Sequence, residues 1–228
     1  IKDVLSDLKL QATITHVNPD GVNINENCGS THLGNLQQII KDNPGIYDLG
    51  VAFDGDADRV LFVGPDGQEF DGDYVLYLLA KHYARRKILV KNTVVITVMA
   101  NYGLNVALDA LKIKAVATPV GDKYVQREMV EEGYLIGGEQ SGHTIFNGYI
   151  TTGDGIFTLM KVLDALAAEE TTFAEFTAEF KKYPQCLLNI KVADKNKAMQ
   201  DPLLLAEVAK VEAKLGGHGR VLVRSSGT

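Results

Sequence analysis

Between residues 71 and 168 the chain alternates helical and strand-like patterns, and this restricts its fold more than any other feature. Val75, Leu76, Leu78, Leu79 and Tyr83 mark a helix, and a β-branched strand follows over 93–99. Next come a helix over 104–111, a strand over 115–120, a helix over 123–132, a short strand over 134–136 and a long helix over 155–168. Helices that alternate with β-branched strands predict an α/β fold with parallel pairing.

A first unit precedes this one. Residues 4–10 have the spacing of a helix end, 12–17 alternate like a strand, and Asn18-Pro19-Asp20-Gly21 is a turn. Ser30 can cap a helix through Leu33, Leu36, Ile39 and Ile40 that stops near Asn43-Pro44-Gly45. Strands over 48–53 and 60–63 follow, the second closed by a hairpin-type turn at Pro65-Asp66-Gly67. Residues 169–182 look like a charged helical linker. Beyond it, a strand over 186–192, a helix over 203–215 and a strand over 220–224 read as the opening of an α+β domain. The expected class is α/β, with mixed, largely parallel sheets and an α+β start at the C-terminal end.

At 228 residues and 46% apolar, the chain can bury one large core or two moderate ones. Its net charge of −6 without a long basic run points away from nucleic acid. Anionic substrates remain possible, since a bound cation and a few Arg or Lys residues invert a local field. Cys28 and Cys186 sit in no CxxC pattern and read as reduced thiols of a cytosolic protein. No apolar stretch approaches the roughly 20 residues of a spanning helix, so no membrane partner is expected. The opening residues read as the middle of a helix, without a signal-peptide layout or initiator Met, and the last are Ser-Ser-Gly-Thr. A longer protein is the expectation. The oligomeric state is not legible.

Asp54, Asp56 and Asp58 stand at i, i+2 and i+4 directly after a buried strand, in Asp-Gly-Asp-Ala-Asp-Arg. Carboxylates so close raise one another's pKa unless a cation intervenes. Their hard oxygens suit Mg²⁺, which keeps positions for water or substrate phosphate. Small Gly55 and Ala57 let the backbone curl. A solvated acidic turn is the plain alternative. An EF-hand does not fit, because its Gly and Glu positions hold Arg59 and Pro65. A dehalogenase-type phosphotransferase, with Asp54 as nucleophile, stays open from loop chemistry alone, although Asp58 departs from that pattern.

Three further loops carry chemistry. Thr118 to Tyr124 joins a strand to a helix, where backbone N–H groups meet anions. Lys123 there can neutralise phosphate or move a proton, or simply be a surface Lys at a helix start. The segment 137–143, Gly-Gly-Glu-Gln-Ser-Gly-His, brings Glu139, Ser141 and His143 together with glycines within five residues, a group that can bind vicinal sugar hydroxyls. Arg224-Ser225-Ser226-Gly227-Thr228 can wrap phosphate oxygens.

In their order, the loops DGDADR, TPVGDKY, GEQSGH and RSSGT resemble those of the α-D-phosphohexomutase superfamily over nearly the whole chain. The segments DGVNINENCGSTH and TVMANYGL, with Gln140, resemble its branch acting on glucosamine phosphates. The resemblance implies two related α/β domains, the family's second over 1–68 and third over 69–184, followed by the start of its fourth over 185–228. It implies Mg²⁺ on Asp54, Asp56 and Asp58, with Arg59 on the same phosphoryl oxygens. Gly121, Glu139, Ser141 and His143 would bind the sugar phosphate, while Arg224, Ser226, Gly227 and Thr228 grip its non-reacting phosphate. Lys123 falls where some members place a general acid/base. The implied reaction interconverts glucosamine 6-phosphate and glucosamine 1-phosphate through a phosphoserine and a 1,6-bisphosphate. A phosphoglucomutase or phosphomannomutase, and a non-catalytic sugar-phosphate-binding module, are the alternatives. The family's phosphoserine domain has no counterpart in these residues, so the 228-residue chain alone is expected to be inactive.

Overall fold

The computed structural model describes residues 1–225, and its strands form two sheets. Helices α1 (Lys2–Asp7) and α2 (Gly34–Asp42) precede β1 (Gly50–Phe53), β2 (Val60–Val63) and β3 (Glu69–Phe70). These strands make an antiparallel sheet in the order β1-β2-β3, with Gly50 opposite Val63 and Phe53 opposite Val60. All four β2 residues are buried because both faces of the strand are covered. Leu61 and Val63 meet Leu33, Ile40 and Ala52 on the α2 side, and Val60 and Phe62 face the main core.

The second unit runs α3 (Gly72–Arg85), β4 (Thr93–Thr97), α4 (Tyr102–Ala110), β5 (Lys114–Thr118), α5 (Asp122–Glu132), β6 (Ile136–Gly138), β7 (Thr144–Phe146), α6 (Gly155–Ala168) and α7 (Phe173–Phe176). Its sheet has the order β5-β4-β6-β7, parallel except for the β6–β7 hairpin. The sheets are thus mixed, and parallel pairing is confined to the second.

Helix α3 is the hub. Every residue from Gly72 to Tyr83 is buried, so the polar ones need internal partners. Lys81 Nζ donates to Phe176 O and Glu179 Oε2, both at 2.8 Å, and His82 Nδ1 lies 2.9 Å from Glu169 Oε1.

The segment expected as a charged helical linker is anchored in the core. Phe173, Phe176 and Phe180 are buried in the main core, with Phe173 stacked on Phe70 at 4.3 Å. Their aromatic anchors outweigh the charged residues between them. Phe173→Ala is expected to lower unfolding free energy by about 3–5 kcal/mol, read by denaturant titration. A loss below about 1 kcal/mol would mean the strap is not part of the cooperative core.

Helices α8 (Lys195–Met199) and α9 (Pro202–Leu215) bury no residue. Asp201 caps α9, Pro202 starts it and left-handed Gly216 ends it. This region touches the second unit through Tyr102, whose hydroxyl donates to Gly217 O at 2.7 Å. Arg220 adds bonds to Val98 O and Ala100 O at 2.5 and 2.6 Å.

The strands expected over 12–17, 186–192 and 220–224 are not formed. Residues 12–17 alternate and the other two segments are apolar-rich, but among the described residues no strand pairs with their backbone N–H and C=O groups. Leu187, Leu188 and Ile190 are accordingly 67%, 76% and 78% exposed.

Candidate functional site

The β1–β2 connection is the aspartate loop. Ala57 takes a left-handed φ of 59° and donates its N–H to Asp54 O at 3.1 Å, and the Arg59 N–H reaches Asp54 Oδ1 at 3.1 Å. This curl brings one carboxylate oxygen each of Asp54, Asp56 and Asp58 within 4.8 Å of one another. Burial raises the Asp54 pKa, the Arg59 N–H opposes that, and Asp58 adds to it. Asp58 Oδ1 is buried with no hydrogen-bond partner. The Arg59 Nε lies 3.7 Å from it and 3.8 Å from Asp54 Oδ2, too far to hydrogen-bond either. Local groups therefore leave the cluster under-neutralised, and its all-oxygen donor set fits a hard divalent cation.

The loop is braced from the second sheet. Arg59 and His143 form an antiparallel bridge, and the Val60 N–H donates to Gly142 O at 3.3 Å. The Gly153 N–H donates to His143 Nε2 at 3.0 Å, which assigns the ring proton to Nδ1, 3.0 Å from Asp58 Oδ2. Both ring nitrogens of this buried residue are used. The structure places His143, one of the candidate sugar ligands, beside the aspartate loop with its Nδ1 on Asp58.

Gly153 and Gly155 were not singled out by the sequence. A Cβ on Gly153 would lie 2.5 Å from the His143 ring, and one on Gly155 2.7 Å from Arg59 O. The Gly155 N–H donates to Ala57 O at 2.8 Å, so the start of α6 abuts the aspartate loop. The Gly-Asp-Gly run around the Asp154 N-cap is the only signal the sequence carried for this.

Across the β6–β7 turn, Glu139 Oε1 accepts the Gly121 N–H at 3.0 Å, joining two of the predicted loops. Ser141 is exposed. Lys123 is exposed at the start of α5, its Nζ 5.0 Å from the Tyr124 ring centroid. Arg224 lies exposed outside any strand, and Ser226, Gly227 and Thr228 fall outside the described residues. Three of the four predicted loops are therefore joined by named contacts.

Two family descriptions match the chain. "Phosphoglucomutase/phosphomannomutase, alpha/beta/alpha domain III" covers residues 71–183, and the C-terminal domain of the same family covers 187–228. A phosphoglucosamine mutase of Limosilactobacillus reuteri subsp. reuteri is 46% identical over 228 residues, covering 100% of this chain and 50% of the relative. Among solved structures, an N-acetylglucosamine-phosphate mutase of the α-D-phosphohexomutase superfamily, in its product complex, gives a TM-score of 0.70 at 26% identity. It covers 90% of this chain and 48% of that one. The Aspergillus fumigatus N-acetylphosphoglucosamine mutase, in complex with GlcNAc-6P and magnesium, shares the fold at a TM-score of 0.74 and 23% identity. It covers 100% of this chain and 57% of that one. The chain spans about half the length of the curated relatives it matches.

Proposed function

Because this chain belongs to the phosphoglucomutase/phosphomannomutase family, we propose that it forms the metal- and sugar-recognising part of a phosphosugar mutase. The substrate pair we assign is glucosamine 6-phosphate and glucosamine 1-phosphate. One observation carries the reading: the Asp58–His143 bond couples a three-carboxylate loop to the Glu139–Ser141 loop, so metal and sugar sites share one frame.

Asp54, Asp56 and Asp58 would hold Mg²⁺, which when bound supplies charge neutralisation to a transferring phosphoryl group. The half-exposed Arg59 side chain beside them is placed to bind phosphoryl oxygens. Glu139, held by the Gly121 N–H, and exposed Ser141 would bind ring hydroxyls. Lys123 is the candidate general acid/base, and Arg224, Ser226, Gly227 and Thr228 the candidate grip on the distal phosphate. We divide the chain at 1–68, 69–184 and 185–228. The free thiols Cys28 and Cys186 suit a reducing cytoplasm. No helix among the described residues is long and apolar enough to cross a membrane.

The test is turnover by the full-length protein with Mg²⁺. Glucosamine 6-phosphate is expected to exceed glucose and mannose 6-phosphates in kcat/KM by about tenfold or more, and the 228-residue chain alone to be inactive. A preference for glucose or mannose phosphate would move the assignment to another branch. A trapped aspartyl phosphate on Asp54 would replace the mutase with a phosphatase.

A further inference from the structure

We propose that Gln140 and Asp73 are a positioning pair: Gln140 does not read the sugar but latches the Glu139–Ser141 loop onto the start of α3. This rests on residues 137–143 being a sugar-recognition loop.

Gln140 sits between the two candidate sugar ligands, yet its Nε2 donates 3.1 Å to Asp73 Oδ2. The same oxygen accepts the Asn101 N–H at 2.7 Å. Asp73 is wholly buried, and its Oδ1 has no hydrogen-bond partner. Burial, then the neighbouring Asp71 carboxylate, push Asp73 up to about 7 against the Asn101 N–H, Lys182 and Gln140. The Asn101 N–H, then Lys182, then Gln140 support the charged form of this buried carboxylate.

The backbone runs the same way. The Gly72 N–H donates to Gln140 O at 3.0 Å, so the loop is held to α3 by main chain and side chain together. The anchor is itself held. Asp71 takes Lys182 Nζ at 2.5 Å, and Asn101 exchanges two 2.9 Å bonds with the Tyr183 backbone. Asp71-Gly72-Asp73 therefore ties the sugar loop, the β4–α4 loop and residues 182–183 to one helix start. A Met at 140 would keep the side chain's bulk and remove the donor.

The experiment is a double-mutant cycle in the full-length protein: Gln140→Met, Asp73→Ala and both together, with Asp73→Asn as the conservative variant. Without substrate, hydrogen exchange of the peptide over 137–143 is expected to quicken about tenfold in each single variant, and no further in the double. With glucosamine 6-phosphate, Gln140→Met is expected to raise KM about tenfold and leave kcat within about threefold. Asp73→Asn, whose amide oxygen can still accept from both the Asn101 N–H and Gln140 Nε2, is expected to hold KM within about threefold of wild type. Asp73→Asn also carries the test if Asp73→Ala does not fold. A raised KM in Gln140→Met with unchanged loop exchange would overturn the pair and make Gln140 a direct sugar ligand. Exchange effects that multiply in the double variant would overturn it too. If wild type turned over no hexosamine phosphate, the functional reading would fall, and exchange alone would decide the pair.

Discussion

Asp58→Ala in the full-length protein is expected to abolish saturable Mg²⁺ binding and lower kcat by roughly 10³-fold. That is the rate equivalent of several kcal/mol of lost charge stabilisation. Asp58 is singled out among the three carboxylates by its surroundings. Its Oδ2 is fixed by His143, and its Oδ1 is buried without a hydrogen-bond partner. An oriented oxygen with no protein partner is what a cation site needs. Asp56 is exposed, so its removal should weaken the metal less. Mass action supplies a second readout that needs no substrate. Saturating Mg²⁺ raises the unfolding temperature of a protein that binds it only when folded. Wild type should show that rise, and Asp58→Ala should lose it. Calorimetry giving the variant wild-type Mg²⁺ affinity would remove Asp58 from the ligand set.

Why the aspartate loop was legible and its brace was not comes down to distance along the chain. Asp54, Asp56 and Asp58 lie within five residues, so their convergence follows from one curl of backbone. The His143–Asp58 bond joins residues 85 positions apart, and nothing in a His between Gly142 and Thr144 says which carboxylate it will meet. The tetrapeptide Phe-Asp-Gly-Asp makes the point sharply, because it occurs at 53–56 and again at 70–73. In the first copy a left-handed Ala57 turns the carboxylates together. In the second, Asp71 caps α3 and is neutralised by Lys182, 111 positions away, while Asp73 is buried against Gln140, 67 positions away. The residues that follow decide which fate applies: Ala-Asp-Arg continues a loop, whereas Tyr-Val-Leu begins a helical repeat. Secondary structure divides in the same way. Helix α6 spans the residues its periodicity predicted, since helix bonds are local. The segments at 12–17 and 186–192 found no strand beside them.

Gly72→Ala is expected to destabilise the protein by about 1–5 kcal/mol and to lower kcat/KM by roughly 100-fold. Two effects oppose each other here. Ala is a better helix former than Gly by about 1 kcal/mol, which alone would stabilise α3. Against that, a Cβ at Gly72 would lie 2.0 Å from Glu139 O, 2.8 Å from Gly142 N and 3.0 Å from Gln140 O. All three are backbone atoms, so no side chain can swing aside, and either the loop or the start of α3 must shift. Overpacking of this kind costs about 1–3 kcal/mol. Separation would also stretch the Gly72–Gln140 and Gln140–Asp73 bonds, leaving a buried carboxylate short of donors at about 1–3 kcal/mol more. The steric side therefore wins. Activity should suffer on a similar scale, because a displacement near 1 Å in a substrate-positioning loop lowers rate about 10²-fold, the equivalent of about 2.7 kcal/mol. Gly34 is the matched control. It also opens a helix, α2, but a Cβ there would meet nothing within 4 Å. Gly34→Ala should accordingly stabilise by about 0.5–1 kcal/mol and leave KM unchanged. Denaturant unfolding of the two variants side by side, with KM for glucosamine 6-phosphate, separates helix propensity from loop seating. If Gly72→Ala behaved like Gly34→Ala in both measurements, the sugar loop would be free to ride off α3, and its seating there would not govern recognition.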